Sequence, residues 1–556
     1  MPEFIYSESL YKEEDVIILR CDGILNNACL TFDAFNVNYT DNDLKNKTCR
    51  NCIKKRTIIE SNSKFKSFTL DYFVSTKDLN NIKSSIDEWK NENLIKYHYK
   101  GIEVGRYCLY ELILKNKKND LILSDDDYFF YRAKILNSCI IIFALELLLN
   151  KYRFKSFYAY NPLYSHNRCA SLYLQKMGLI TYGFHAGNNF SVRLKKLSLF
   201  EGNQTKQELR ILDNWDNYKE KIFPNKEMVD QVFEHLRVMI YSKFWGQYGV
   251  RYSSSNVREY FKIPKTKKVY LATLSSSDER FAANTIGVKY FSDKGEIFKD
   301  QIDWVKFLIN YLKDNEHIHL IIRIHPRDYS NARYPGNSKN ADLLTQLLSD
   351  LPCNISYNTP EDNFSIFDLA HEVNLLLNYH SSSGREFALL GIPVLIHSKS
   401  VHTFTTDFCI RATTLENYKN HLINYELENS ISGNMKCALK WLCFEHFYNT
   451  LDLNLPRYFY QSELNSRPFF FKLIIYFKKM LPNITFSFEL KYFKYRNRDN
   501  KFSKIVDPYT GKIKNITLNK YNNFDFFTYY LNKLKNFDYI INDRSSRLSK
   551  NILKMQ

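Results

Sequence analysis

Two short stretches hold the residues best suited to chemistry: Leu320-Ile-Ile-Arg323-Ile-His325-Pro326-Arg327 and Leu375-Leu-Leu-Asn-Tyr-His-Ser381-Ser382-Ser383-Gly384-Arg385-Glu386. Each is an apolar run passing directly into polar residues. That is the pattern of a buried parallel strand delivering side chains to the carboxyl edge of an open α/β sheet, where such sheets bind ligands. Serine hydroxyls and the free backbone N–H groups of a helix N-terminus both favour negative charge. The second stretch offers both, because Ser381, Ser382 and Ser383 open a helix expected over 385–390, which stops at Gly391-Ile-Pro393. Arg323, His325 and Arg327 are expected on the neighbouring strand, so the two stretches together suit a phosphorylated ligand. A third loop, Ser275-Ser276-Ser277, follows the apolar run 268–273 and is expected at the same edge.

A frame of alternating strands and helices would place these groups. From residue 268 the pattern reads strand 268–273, helix 300–312, the His325 strand, helix 341–349, strand 354–357, helix 365–371, the serine strand and strand 393–396. That alternation predicts a doubly wound parallel sheet. Earlier, 15–21 reads as a first buried strand ending at Asp22-Gly23, and 77–151 is rich in helix signals. A βαβ unit follows: strand 154–160, turn Asn161-Pro162, helix 165–177 stopped by Gly178, and strand 179–184, which delivers His185 to the sheet edge. Between 245 and 266 periodicity lapses into serines, lysines and proline, as in an interdomain link. The expected fold class is α/β, with two Rossmann-like doubly wound domains facing a cleft. They span 1–250 and 265–430, and a basic, aromatic-rich helical extension covers 431–556.

The chain has 556 residues, 44% hydrophobic and 25% charged, with a formal net charge of +18. Such a positive balance suits nucleic acid, an anionic membrane surface or an acidic saccharide. No recognition helix, zinc-finger or single-strand RNA motif is present, so nucleic acid is not an expected partner. No basic start followed by an apolar run marks a leader, and the apolar run 139–149 is too short to span a bilayer. The expected location is the cytoplasm, including the inner face of the cytoplasmic membrane, because 467–480 and 491–496 mix lysines with aromatics as a surface-lying segment does. The eleven cysteines then read as reduced thiols. Cys49 and Cys52 have zinc-knuckle spacing, but Cys21 and Cys29 do not. Asp125-Asp126-Asp127 precedes a helix and reads as capping rather than metal binding. Neither a Gly-x-Gly-x-x-Gly fingerprint beside the first strand of either half nor a Walker A sequence occurs, which argues against nicotinamide, flavin and P-loop chemistry. No cofactor or metal is expected.

The order His325-Pro326, then Ser381-Ser382-Ser383, resembles the His-Pro and Ser-Ser motifs of GT-B glycosyltransferases. More narrowly it is similar to the bacterial capsule and lipopolysaccharide transferases, a group that includes Kdo, sialic-acid and polysialic-acid transferases. The resemblance spans roughly residues 265 to 400, with a weaker echo at 154 to 190. It implies a metal-independent glycosyltransferase with a nucleotide-sugar donor, a CMP-linked ulosonic acid such as Kdo being the candidate. The acceptor would be a growing capsule or lipopolysaccharide glycan, free or lipid-linked. Residues 1–250 would then hold the acceptor and 265–430 the nucleotide sugar.

Negative charge grows on the departing phosphate oxygen when a glycosyl–phosphate bond breaks, so preplaced donors strengthen in the transition state. His325 and the hydroxyls and amides of Ser381, Ser382 and Ser383 are assigned there, with Ser275, Ser276 and Ser277 touching donor phosphate or sugar. Arg323, Arg327 and Arg385 add positive charge, and Glu386 would accept ribose hydroxyls as an acidic residue does in related folds. The first candidate for the base that activates an acceptor hydroxyl is His185, at the end of its strand. The second is Asp22, because related sialyltransferases use a carboxylate in an acidic-residue-Gly motif; here a cysteine stands where a second acid is expected. Two other readings keep the same residues: a polyol phosphotransferase using CDP-linked donors, which resembles the chain in the same two motifs, and a noncatalytic carbohydrate-binding protein.

Overall fold

The structure, a computed structural model, describes residues 16–34, 37–61, 65–193, 196–202, 215–241, 250–288, 297–331, 334–362, 364–397, 404–424, 431–447, 450–452, 524–543 and 546–555. Near the start, β1 (Ile17–Arg20) pairs in parallel with β2 (Lys66–Thr69), the two joined through α1 (Asn42–Ser61). The expected first strand therefore exists, but this pair stays separate from the two larger sheets. Next come α2 (Thr76–Asp87), α3 (Leu109–Asn116) and α4 (Asp125–Lys151).

By length and composition α4 is the one helix among the described residues able to cross a membrane. Its apolarity has a different use here. Ile135, Cys139, Ile142 and Ala144 are buried in the core of the first half, and the buried Lys134 lies 2.6 Å from Asp33. Of the three aspartates at its start, Asp127 caps the helix as the sequence predicts. Ser124 Oγ accepts from the Asp127 N–H (3.2 Å) while Asp127 accepts from the Ser124 N–H (2.9 Å), a reciprocal capping box. Ser124→Ala should lower stability by about 1 kcal/mol in chemical denaturation. Replacing the exposed Asp126 by Asn should change it by less than about 0.5 kcal/mol.

β3 (Ser156–Tyr160), α5 (Ser165–Lys176) and β4 (Ile180–Ala186) form the expected parallel βαβ unit. Its sheet then continues antiparallel, through β5 (Lys196–Glu201) and finally β12 (Thr450–Asp452), which returns from far along the chain.

After α6 (Lys226–Tyr241), six strands build the second sheet: β6 (Lys268–Thr273), β7 (Ile318–Arg323), β8 (Ile355–Asn358), β9 (Val373–Asn378), β10 (Val394–Ile396) and β11 (Ile410–Arg411). All pairings are parallel and the order is β11-β10-β9-β6-β7-β8. Counted from β6 this is 6-5-4-1-2-3, the doubly wound order of dinucleotide-binding folds. The connecting helices are α7 (Ser277–Thr285), α8 (Gln301–Leu312), α9 (Lys339–Leu347), α10 (Ile366–Ala370), α11 (Ser383–Leu389), α12 (Leu415–Asn424) and α13 (Ile431–Phe447). Both faces of the sheet are covered, which is why its strands read as unbroken apolar runs. Val269, Leu271, Ile321 and Leu376 share a core with α6, α10, α11 and α13. Tyr270, Ala272, Leu320, Ile322 and Leu375 share the other with α8, α9 and α12.

The lysine-rich segments 467–480 and 491–496 lie outside the described residues. Beyond them, α14 (Phe526–Lys535), α15 (Asp538–Ile541) and α16 (Arg547–Lys554) pack into the second sheet's core through Tyr530, Leu534, Tyr539, Leu548 and Ile552. Tyr539 donates to the Phe367 carbonyl at 2.7 Å, fixing this end of the chain on α10.

Candidate functional site

In an open α/β sheet the ligand crevice lies outside the carboxyl ends of the strands, where the strand order reverses. Here that point falls between β6 and β9, so the loops that flank it are 274–277 and 379–383. These are the two serine loops. Thr273 pairs with Arg323 of β7 on one side and Asn378 of β9 on the other, so all three chains leave the sheet at one level. Two residues further on stand Ser275, His325 and His380.

The expectation that His325 and the serine triplet come from adjacent strands is corrected by this order, because β6 lies between them. Strand spacing puts β7 and β9 about 10 Å apart.

The switch point is stitched by polar side chains. Thr273 Oγ1 donates to Asn378 Oδ1 (2.9 Å), and Asn378 Nδ2 donates to the Ser381 carbonyl (3.0 Å). Ser381 and Ser383 share a hydroxyl–hydroxyl bond of 2.9 Å, and Ser382 is exposed. Gly384 is required by space: a Cβ there would lie 2.6 Å from the Phe404 ring. In the other loop the Ser275 N–H donates to Gln301 (2.8 Å), and Ser276 bonds Asp278. Ser277 Oγ is buried without a hydrogen-bond partner at the first residue of α7. Ser276, the N-cap of α7, makes no side-chain cap bond, so the helix directs uncapped N–H groups toward the crevice. At the far end of α7, Arg106 and Arg168 of the first half donate to the Thr285 and Ile286 carbonyls (2.6 and 3.0 Å).

His325 caps the short turn Pro326–Asp328, its Nδ1 accepting from the Arg327 N–H at 3.2 Å. A ring nitrogen that accepts carries no proton, so the neutral ring keeps its proton on Nε2. Burial, with Arg327 and Arg323 adding to it against Glu279 and Asp278, holds the imidazole below the usual histidine range. His325 is therefore a neutral N–H donor. His185 has the opposite tautomer: its Nδ1 donates to the Ala186 carbonyl (3.0 Å), which makes Nε2 the basic nitrogen. It is half-buried at the end of β4 and stacks on Tyr160.

Other sequence-derived candidates sit elsewhere. Asp22 is paired with Arg56 beside the separate β1–β2 pair. The Arg323 guanidinium bonds Asn358 at the end of β8 and the Phe364 carbonyl, which occupies it away from the switch point. Arg327 turns into the boundary between the halves, paired with Asp278 at 2.8 Å and donating to the Leu114 carbonyl at 2.9 Å. Arg385 and Glu386 are buried behind the serine loop, bound to Glu445 (2.6 Å) and His235 (3.2 Å) respectively. Burial alone would raise the Glu386 carboxyl, but Arg385 and the His235 hydrogen bond outweigh it and hold Glu386 below the usual range. A carboxylate so occupied and only 1% exposed does not meet a ribose.

Two cationic groups near the site had no role in the sequence reading. Arg280, one turn into α7 from Ser277, lies over the Tyr379 ring at 5.1 Å, and that spacing was readable in the sequence. Lys117 reaches from the first half to the Tyr329 and Gly336 carbonyls (2.6 and 2.8 Å), a long-range contact with no local signal. Among the described residues no group of three or more His, Cys, Asp or Glu has the geometry to hold a metal, and this includes Cys21, Cys29, Cys49 and Cys52.

Asp328, on the turn that follows His325, is pushed up to about 7 by burial, with Asp278 adding and Ser338 opposing. The folded chain thus keeps a proton that the unfolded chain releases near 4. The resulting stability is complete below about pH 4 and is lost as pH rises through about 7. Asp328→Asn should remove that slope, which amounts to at most about 4 kcal/mol. Denaturation midpoints of the two proteins from pH 4 to 8 measure it.

Neither a protein-family model nor a characterised protein sequence matches the chain. Solved structures similar to it include KpsC, a β-Kdo 2,4-transferase of Thermosulfurimonas dismutans, at 13% identity and TM-score 0.32, covering 52% of this chain and 78% of that one. The glycosyltransferase SnogD of Streptomyces nogalater is similar at 10% identity and TM-score 0.24, covering 77% and 95%. The UDP-GlcNAc 2-epimerase of Methanocaldococcus jannaschii gives 13% and 0.27, covering 76% and 97%. Likeness this slight carries no functional argument; the strand order and the loops at its reversal do.

Proposed function

We propose that this chain is a glycosyltransferase that moves a sugar from a nucleotide donor to a glycan, working without a metal ion. The observation that supports the reading is that the loops carrying Ser275–Ser277 and Ser381–Ser383 leave adjacent strands at the switch point of a doubly wound sheet, with His325 two residues past the same register level. The donor phosphate would sit among these hydroxyls and the N–H groups of α7. As the glycosyl–oxygen bond breaks, the His325 N–H and the helix N–H groups meet the charge appearing on phosphate, so their bonds strengthen at the moment of reaction. On the opposite side, His185 Nε2 would take the acceptor hydroxyl's proton. Residues 265–430 hold the nucleotide sugar and 1–250 the acceptor in this reading. The donor is a CMP-linked ulosonic acid such as Kdo, the acceptor a capsule or lipopolysaccharide glycan made at the cytoplasmic face of the membrane.

Thermal shift with CMP, UMP, UDP, GDP and CDP tests the nucleotide, since a ligand at 100 times its Kd stabilises by about 2.7 kcal/mol. Release of CMP from a CMP-linked sugar in the presence of EDTA supports the reading. Release of CMP only from CDP-glycerol would replace it by phosphotransfer, and binding of glycans without any nucleotide would replace it by a noncatalytic role.

A further inference from the structure

A set of buried polar and charged groups lies where the loop leaving β4 meets α11 and α13. Asn188, three residues past His185, donates through Nδ2 to Glu445 Oε1 at 3.0 Å. The same oxygen accepts from Arg385 Nη1 at 2.6 Å, and Arg385 Nε donates back to the Ser382 carbonyl at 3.3 Å. An unbroken chain of hydrogen bonds therefore runs from the His185 loop to the serine loop. A second runs beside it, with the Phe190 N–H donating to His235 Nδ1 (3.0 Å) and His235 Nε2 to Glu386 Oε1 (3.2 Å). Glu445, His235 and Glu386 are all at most 1% exposed.

We propose that Asn188, Glu445 and Arg385 are positioning residues, a buried relay that fixes the spacing between the loop leaving His185 and the serine loop that holds donor phosphate. A carboxylate oxygen buried between two donors has one favourable arrangement, and each donor here belongs to the carboxyl edge of a different sheet. Arg385 anchors the serine side through the Ser382 carbonyl, and Asn188 anchors the β4 side. Nucleotide binding needs only the serine side. Transfer needs both, because a misplacement near 1 Å can cost about 10²-fold in rate.

The inference rests on the glycosyltransferase reading, and one experiment separates the two. The full-length protein and the variants Asn188→Ala, Glu445→Leu and Glu445→Gln are compared for CMP affinity by calorimetry and for kcat of CMP release from a CMP-linked sugar, water serving as acceptor. Asn188→Ala and Glu445→Leu should each lower kcat about 10- to 100-fold with CMP affinity held within about twofold. Glu445→Gln keeps an oxygen for both donors and should restore kcat to within about fivefold of the unaltered protein. Asn188→Ala with Glu445→Leu should be no slower than Glu445→Leu alone, because both act through one oxygen. If Glu445→Leu does not fold, Asn188→Ala against Glu445→Gln decides. A kcat unchanged in Asn188→Ala, or falling together with CMP affinity, overturns the relay. An unaltered protein that binds none of the nucleotides CMP, UMP, UDP, GDP and CDP and releases none from its sugar overturns the glycosyltransferase reading and the relay with it.

Discussion

Replacing His325 by asparagine should lower nucleotide release from the sugar donor by about 10²- to 10³-fold, the usual loss when one preplaced donor to a developing oxyanion is removed. Asparagine is the informative substitution. Its side-chain oxygen can accept from the residue 327 N–H as His325 Nδ1 does, so the turn Pro326–Asp328 keeps its cap. Its amide N–H groups sit short of the position from which the imidazole presents Nε2–H. Stability should therefore stay close to that of the unaltered chain, whereas alanine would cost about 1 kcal/mol through the lost cap. The pH profile gives a second check. Burial and Arg327 keep this histidine neutral below the range in which an ordinary one takes up a proton. Turnover should pass through pH 6.5 without a limb assignable to His325. A limb there that vanishes in His325→Asn would show that the imidazolium, not the neutral ring, is the donor.

The second half was readable because both faces of its sheet are covered, which makes strands such as 268–273 and 373–378 continuous apolar runs ending at polar loops. The positions of the serine loops and His325 follow from those runs. Strand order does not. Alternation of strand and helix is the same whichever strand lies at the centre, so the insertion of β6 between β7 and β9 left no local trace. The sheet of the first half was only partly legible for a similar reason, since its edge strand β12 arrives from residues 450–452. Arginine showed the limit most clearly. Arg323, Arg327 and Arg385 sit beside the motifs in sequence, yet each is occupied by an interior partner, while Arg280, on no motif, lies over the Tyr379 ring of the serine-strand loop. Residue type and proximity to a motif cannot distinguish a guanidinium held by a carboxylate from one available to phosphate, because the partner lies far away in sequence. The cap by Asp127 was readable because a helix cap is a local matter, closed within three residues of Ser124.

Breaking the Arg327–Asp278 pair should cost about 3–5 kcal/mol of stability for Arg327→Met or Asp278→Asn. Both residues are almost fully buried, at 2% and 1% side-chain exposure. Arg327 Nε and Nη2 lie 3.0 and 2.8 Å from Asp278 Oδ2, Nη2 also donates to the Leu114 carbonyl at 2.9 Å, and the guanidinium lies over the Tyr334 ring. Removal of either partner leaves a desolvated charge, which is the main part of the cost. The double variant Arg327→Met with Asp278→Asn leaves none and should be more stable than the two single losses added together. Arg327→Lys should not restore the single loss, because an ammonium cannot form the planar fork that meets Asp278 and Leu114 at once. Chemical denaturation of the original and the four variants measures these differences, and a lysine variant as stable as the original would show that charge alone suffices. The pair also has a mechanical role. Asp278 adjoins Ser277 on α7, Arg327 follows His325 by two residues, and Leu114 belongs to the first half, so one ion pair braces two loops of the anion site against α3. Arg327→Met should therefore lower turnover through the placement of His325, and it should do so even at temperatures where the variant remains folded.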